Sequence, residues 1–338
     1  MTTALIRSRE VRLKSRPAAT PTSENFELAE VEVSTPGPGQ VQIRNLWMSV
    51  DPYMRGRMTT RKSYVPPFEL GAPLQGGAVG EILASNAEGF APGDLVQTMR
   101  GWREVFTTAA DAPDLHKLPN LGLPSEAYLH VVGLTGLTAY VGIKKIANVR
   151  AGDVVFVSGA AGAVGSTACQ IAKIIGATVI GSAGGPEKCA FLKEIGVDHA
   201  IDYKAESNLT ATLEKIAPDG IDVYFDNVGG EHLEAALNNA KTFARFALCG
   251  TISRYNSGDT RDPSSVHLAV PKSLRLEGFI VSNYFQLMPG FVQEMAAWIA
   301  AGQIKWRQTV DEGIESAPAA FIKLFTGENF GKMLVKLA

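Results

Sequence analysis

The residues with the clearest chemical meaning are small ones: Ala160-x-Gly162-x-x-Gly165. A short β-rich apolar run, Val154-Val155-Phe156-Val157, leads into this turn through Ser158 and Gly159. A helix-like pattern follows from Ser166, carried by Thr167, Ala168, Ile171, Ala172, Ile174 and Ile175. Strand, tight glycine turn and helix together are the setting a dinucleotide site requires. Glycine lets the backbone approach a pyrophosphate, and the helix N-terminus offers free N–H groups and a positive dipole end. Glycine turns are common, so the flanking strand and helix carry this reading against that of a purely structural turn.

The next strand, Thr178 to Ser182, indicates which dinucleotide. An NAD site places Asp or Glu at this strand end to hold the ribose 2′-OH. Here the end reads Ser182-Ala183-Gly184-Gly185, without an acid, and Lys188 follows in the first turn of the next helix. A lysine there neutralises a 2′-phosphate that an acid would repel. The expected cofactor is NADPH. The competing reading of Lys188 is a solvated helix lysine, and Glu187 reads as an exposed first-turn acid.

A polypeptide of 338 residues has room for two cores. The net charge of −2 argues against nucleic acid and anionic membranes as partners. No apolar run is long enough to span a bilayer, and Met1 to Arg16 has basic residues but no apolar signal core. Cys169, Cys189 and Cys249 are an odd number and suit a reducing, cytoplasmic setting as core or near-core thiols.

In the N-terminal third, strand-like runs recur at 26–33, 40–50, 77–84, 95–98 and 104–107, with turn clusters at 35–39 and 90–94 between them. That spacing suggests a small barrel or sandwich. From about Tyr128, strands (154–158, 178–182, 199–201, 221–225, 244–249, 275–281) alternate with helical patterns, which predicts a doubly wound parallel sheet. Phe291 to Ala301 reads as a helix stopped by Gly302. Residues 332–337 read as a strand returning to the first domain. The expected domains are 1–128 with 303–338, and 129–302.

Six segments occur in order: Ser49-Val50-Asp51-Pro52-Tyr53-Met54-Arg55, Gly136-Leu137-Thr138-Ala139-Tyr140, Ala160 to Gly165, Asp226-Asn227-Val228-Gly229-Gly230, Cys249 to Asn256, and Glu328-Asn329-Phe330-Gly331-Lys332. In them the chain resembles the medium-chain dehydrogenase/reductase superfamily, and within it the leukotriene B4 dehydrogenase/prostaglandin (alkenal/one) reductase family with its bacterial curcumin-reductase-like branch. The resemblance runs from about residue 40 to the C-terminus. It implies an α/β protein, a GroES-like β-barrel domain plus a doubly wound Rossmann domain, that uses NADPH to reduce double bonds as a homodimer. It further implies a pyrophosphate turn of Gly162, Ala163, Val164 and Gly165, with Lys188 and Tyr203 flanking the 2′-phosphate. Asn227 and Cys249, Gly250, Thr251, Ile252, Ser253 and Tyr255 would line the cofactor. Phe279, Ile280 and Val281 would meet the nicotinamide end, and Asn329 would bond near it. Cys249 would act through its backbone, and Asn227 has the alternative role of capping the next helix.

Many superfamily members hold a catalytic zinc marked by a cysteine and a Gly-His-Glu segment in the first domain. That domain has no cysteine, and the matching segment reads Gln75-Gly76-Gly77-Ala78-Val79-Gly80-Glu81. The five histidines show no ligand spacing, so a metal-free site is expected. Conjugate reduction of an α,β-unsaturated carbonyl suits such a site, because charge moves onto an oxygen that hydroxyl donors stabilise. Tyr255, in a turn just after a strand, is the candidate donor. The alternative is a tyrosine that packs on the cofactor while the cofactor's ribose hydroxyl donates. Tyr53 and Tyr64 are substrate-pocket candidates, or else interface or core aromatics, and Arg55 and Arg57 brace their loop. The loops at 53–70 and 255–275 would set the substrate. A quinone reductase and a catalytically silent NADPH-binding protein are the competing functions.

Overall fold

Leu5–Leu13 (β1) pairs antiparallel along its whole length with Phe26–Ser34 (β2). The sequence reading assigned no strand to this N-terminal segment. Gln40–Ser49 (β3) pairs antiparallel with Ala78–Ser85 (β4), which continues through Leu95–Thr98 (β5) to His116–Lys117 (β7). Val105–Ala109 (β6) also pairs with β3, and the short helix Met54–Arg57 (α1) sits in the β3–β4 connection. The structure is a computed structural model that describes residues 5–256 and 264–338. Of the expected 255–275 pocket loop, 257–263 lie outside the described residues.

The second unit opens with Leu134–Val141 (α2) and a π-turn at Gly142–Ile146. Its strands are Val154–Val157 (β8), Thr178–Ala183 (β9), His199–Asp202 (β10), Ile221–Asp226 (β11), Ala240–Leu248 (β12) and Arg275–Gly278 (β13). Between them run Ala163–Ile175 (α3), Pro186–Glu194 (α4), Leu209–Ile216 (α5) and Glu231–Asn238 (α6). All pairings are parallel, in the order β10-β9-β8-β11-β12-β13. This is the doubly wound arrangement in which strand order reverses between the first and fourth strands, and ligands bind outside the carboxyl ends there. Phe156, Tyr224 and Phe246 lie in its core, with ring centroids 5.3 and 5.4 Å apart.

Four boundaries differ from expectation by three residues or more. α3 starts at Ala163 rather than Ser166, because Gly162 already has the extended backbone of an N-cap. β12 starts at Ala240, not 244. β13 stops at Gly278 rather than continuing to Val281. Its partner β12 ends at Leu248, whose carbonyl accepts one last bond from the Phe279 N–H at 3.3 Å, and the chain then coils into a 3-10 turn at Val281–Leu287. Met288–Ala300 (α7) begins before Phe291, with Pro289 in its first turn, and Gly302 follows it at φ +70°.

Gln308–Glu312 (β14), Ala317–Thr326 (α8) and Lys332–Lys336 (β15) complete the first unit's sheet, which runs β14-β15-β3-β4-β5-β7. Val11, Leu13, Phe26, Met48, Met54, Trp102 and Phe321 are core there. By contact, one unit comprises Met1–Leu129, Gln308–Asn329 and Met333–Ala338, and the other comprises His130–Arg307 and Phe330–Lys332. Among the described residues no helix is long and apolar enough to cross a membrane.

Candidate cofactor and active site

β8 ends at Val157, and the chain reverses at Gly159, whose φ of +59° favours glycine. The Gly162 N–H donates to the Gly159 carbonyl at 3.0 Å, and the Ala160 N–H to the Ser182 carbonyl at 2.8 Å. A Cβ on Gly165 would run into the Gly159 carbonyl oxygen, so only glycine lets α3 pack this close to the turn. The first glycine of the turn is thus Gly159, one position before the alanine that the sequence spacing singled out. Ala163 and Val164 are half-buried in the first turn of α3. Its first N–H groups and dipole face the place a diphosphate needs.

The Gly331 N–H donates to the Ala161 carbonyl at 3.1 Å, so Phe330–Lys332 lies alongside this turn. A Cβ on Gly331 would collide with the Arg307 carbonyl, and its φ is +67°.

At the end of β9, Gly184 leads into Gly185 (φ +99°), the N-cap of α4. A Cβ on Gly184 would lie 2.9 Å from Lys204 Cε and 3.0 Å from the Tyr203 hydroxyl. Lys188 is half-buried in the first turn of α4. Burial first, and then the charge of Lys204, lowers its ammonium below the ordinary lysine range, while Glu187 opposes. Asp202 Oδ1 orders the corner by accepting the N–H groups of Gly185 at 2.8 Å and Lys204 at 3.1 Å. Two lysines, a tyrosine hydroxyl and a glycine lie together here, a set of groups whose chemistry suits a dianionic phosphate. Lys204 was missed in the sequence. Its only signal is adjacency to Tyr203, because nothing in the local pattern shows that β10 ends beside β9.

The Asn227 amide donates to the Ser158 carbonyl at 2.7 Å, and Gly230 rather than Asn227 is the N-cap of α6. Cys249 and Gly250 donate their N–H groups to the Asp226 carbonyl at 2.9 and 3.0 Å. Burial, with Asp226, pushes the Cys249 thiol up to about 12, so it is not a nucleophile at neutral pH. Thr251 leads into a 3-10 turn at Ile252–Arg254, and Tyr255 closes it. The Tyr255 hydroxyl lies 3.4 Å from the position of a Cβ on Gly250. Phe279 packs edge-on against the core residue Phe225, with centroids 6.3 Å apart, and Ile280 and Val281 are half-buried. Gly159, Asn227, Gly250 and Tyr255 thus gather at the carboxyl ends of β8, β11 and β12.

In the other unit, Tyr53 is the N-cap of α1, with its hydroxyl buried beside Arg57. Burial, and then Asp51, raise the Tyr53 phenol well above the usual range, while Arg57 opposes. Arg57 braces the loop, with Nε on the Pro66 carbonyl at 2.9 Å and Nη2 on Gln75 Oε1 at 2.7 Å. Arg55 donates to the Ala19 carbonyl at 2.8 Å. Tyr64 is 57% exposed and Asn329 is half-buried.

Barrel-type sheet and six-stranded nucleotide sheet together define a medium-chain dehydrogenase/reductase, a GroES-like domain with a Rossmann domain. Residues 9–118 match the family described as the N-terminal domain of oxidoreductase, and 163–300 match that described as zinc-binding dehydrogenase. The chain is 39% identical to the NADPH-dependent curcumin reductase of Escherichia coli, over 98% of this chain and 97% of that protein. It is 38% identical to the NADP(+)-dependent 2-alkenal reductase of Nicotiana tabacum, over 98% of each. The solved structure of CurA from Vibrio vulnificus in complex with NADPH superposes with a TM-score of 0.92 at 38% identity, over 98% of this chain and 99% of that one. The chain belongs to the alkenal/one reductase family of this superfamily, and it is an NADPH-dependent oxidoreductase.

Zinc does not fit the donor set. All three cysteines fall in the nucleotide-binding unit and are free, and among the described residues no three His, Cys, Asp or Glu side chains gather as ligands. NADPH does fit, given the tight glycine turn at the N-terminus of α3 and the two lysines beside Gly184.

Proposed function

We propose that this protein reduces the C=C bond of α,β-unsaturated aldehydes and ketones. The observation that carries the reading is a tyrosine hydroxyl, Tyr255, on a turn tied to the strand ends of the nucleotide sheet, in a protein whose described residues hold no cluster of zinc ligands. Relatives named for alkenal and curcumin reduction support it. Bound NADPH supplies the hydride that goes to the β-carbon. Gly162, Ala163, Val164 and Gly165 hold the diphosphate, and Lys188, Tyr203 and Lys204 hold the 2′-phosphate. Asn227, Cys249 to Ser253, Phe279 to Val281 and Asn329 border the cofactor, and Tyr53 and Tyr64 border the substrate. As charge develops on the carbonyl oxygen, the Tyr255 hydroxyl donates to it, which is worth on the order of 3 kcal/mol in such sites. The protein acts in the cytoplasm as a homodimer.

The test is product analysis with NADPH and 3-nonen-2-one. A saturated ketone is expected, at a rate unchanged by prolonged chelation, and an allylic alcohol as the main product would refute the reading. Tyr255→Phe keeps the ring and removes the donor. It should lower kcat about 100-fold while NADPH affinity stays within about twofold, because the lost bond is made mainly in the transition state. A silent substitution would assign the oxyanion to the ribose hydroxyl.

A further inference from the structure

Asp226, at the carboxyl end of β11, is fully buried. Its Oδ1 accepts four hydrogen bonds: from the Ser158 hydroxyl at 3.1 Å, the Tyr224 hydroxyl at 2.7 Å, and the N–H groups of Val228 at 2.9 Å and Gly229 at 2.7 Å. Among the described residues its Oδ2 has no partner. A buried carboxylate with one oxygen crowded and the other bare is costly, and such groups call for an explanation beyond packing.

The four donors show what the carboxylate joins. Ser158 begins the diphosphate turn, and its hydroxyl also accepts the Asn227 N–H at 2.9 Å. Val228 and Gly229 form a turn with φ of +72° and +54° at its two glycines, Gly229 and Gly230, which the carboxylate holds by two N–H groups. That turn in turn carries the Tyr255 segment. The Val228 carbonyl accepts the Ser253 hydroxyl at 2.6 Å and its N–H at 3.2 Å, and the Asn227 carbonyl accepts the Ile252 N–H at 3.3 Å. The Asp226 backbone carbonyl accepts Cys249 and Gly250 at the root of the same segment. One residue is therefore bonded, directly or through a single peptide, to the ends of β8, β11 and β12.

We propose that Asp226 is a positioning residue that fixes the Tyr255-bearing turn relative to the diphosphate-binding turn, and so sets the geometry between bound NADPH and the oxyanion donor. This rests on the reading of those two turns given above. Tyr224 supplies an internal control. It donates to the same oxygen but lies in the core and belongs to neither turn.

The experiment compares Asp226→Asn, Ser158→Ala and Tyr224→Phe. NADPH dissociation constants come from quenching of protein fluorescence, kcat and its deuterium isotope effect from 4-deuterated NADPH, and unfolding midpoints from calorimetry. Asp226→Asn should weaken NADPH binding and lower kcat by about tenfold each, with an altered isotope effect and an enone KM within about twofold. Ser158→Ala should weaken NADPH binding several-fold, and Tyr224→Phe should lower only the unfolding midpoint. The proposal is overturned if Asp226→Asn binds and turns over as wild type, or if Tyr224→Phe changes those constants as much as the other two. If Asp226→Asn fails to fold, the Ser158 and Tyr224 variants decide by the same criterion. NADPH affinity needs no enone, so a wild-type protein without enone reductase activity would sink the reaction and leave this test standing.

Discussion

Lys188 and Lys204 concentrate two positive charges against Tyr203 and the face of Gly184, and burial first, then the Lys204 charge, depresses the Lys188 ammonium. A 2′-phosphate relieves the repulsion, whereas a ribose hydroxyl does not. NADPH should therefore bind at least ~10-fold more tightly than NADH, equivalent to about 1.4 kcal/mol. Lys188→Ala should erode the preference, and Lys188→Ala with Lys204→Ala should abolish it, while NADH affinity stays nearly constant. Fluorescence titration with both cofactors checks this, and equal wild-type affinities would exclude it. At this scale the sequence showed the cation and the missing acid because both lie within a turn of their own strand. It hid the surroundings of Lys204 and Asp226, which lie at strand ends that become neighbours only when the sheet forms.

Elements with strong periodicity were legible, and those with polar inner faces were not. β8, the glycine turn and α3 were found because an apolar run and a helical stripe meet at glycines. β1 was missed because its inward-facing residues include Ser8 and Glu10. Ser8 is satisfied by Val105, donating to its carbonyl at 3.0 Å and accepting its N–H at 2.9 Å, so the alternation that marks a strand is masked by polar partners supplied from elsewhere. The histidines show the same principle with a measurable consequence. His130, just before α2, is fully buried, and burial, then the Lys332 charge, depress its pKa to about 3, while the Ala163 backbone opposes. Burial in α6 takes His232 to about 4. Both stay neutral in the folded protein, while in the unfolded chain they titrate near 6.5. Stability is thus fully present above about pH 6.5 and falls as pH drops, by about 1.4 kcal/mol per pH unit per histidine, until the folded values are reached. Between pH 6.5 and 5 both histidines act in the same direction. The unfolding midpoint should fall between pH 7 and 5, and His232→Gln should reduce that slope by about half. A midpoint flat across this range would disprove the assignment.

For the molecule as a whole, the alternation of strands and helices after residue 130 was sufficient to predict a doubly wound sheet, because each parallel crossover imposes its own rhythm on the sequence. Its edges were harder to read. β13 is an edge strand of the six, four residues long and reading Arg275-Leu276-Glu277-Gly278, shorter than the strand expected over 275–281. Charged residues on an edge strand ordinarily discourage indiscriminate pairing. In a homodimer, a two-fold axis through Leu276 would change the sign of that effect. Antiparallel pairing of two copies would set Arg275 opposite the Glu277 of the second copy, twice, so the charges select one register and one partner. Light scattering at micromolar concentration should give the mass of a dimer. Glu277→Lys places like charges opposite one another and should shift the protein towards monomer, while Arg275→Glu with Glu277→Arg should restore the dimer. A monomeric wild type would reject the arrangement, and a Glu277→Lys protein that stays fully dimeric would move the interface away from this strand.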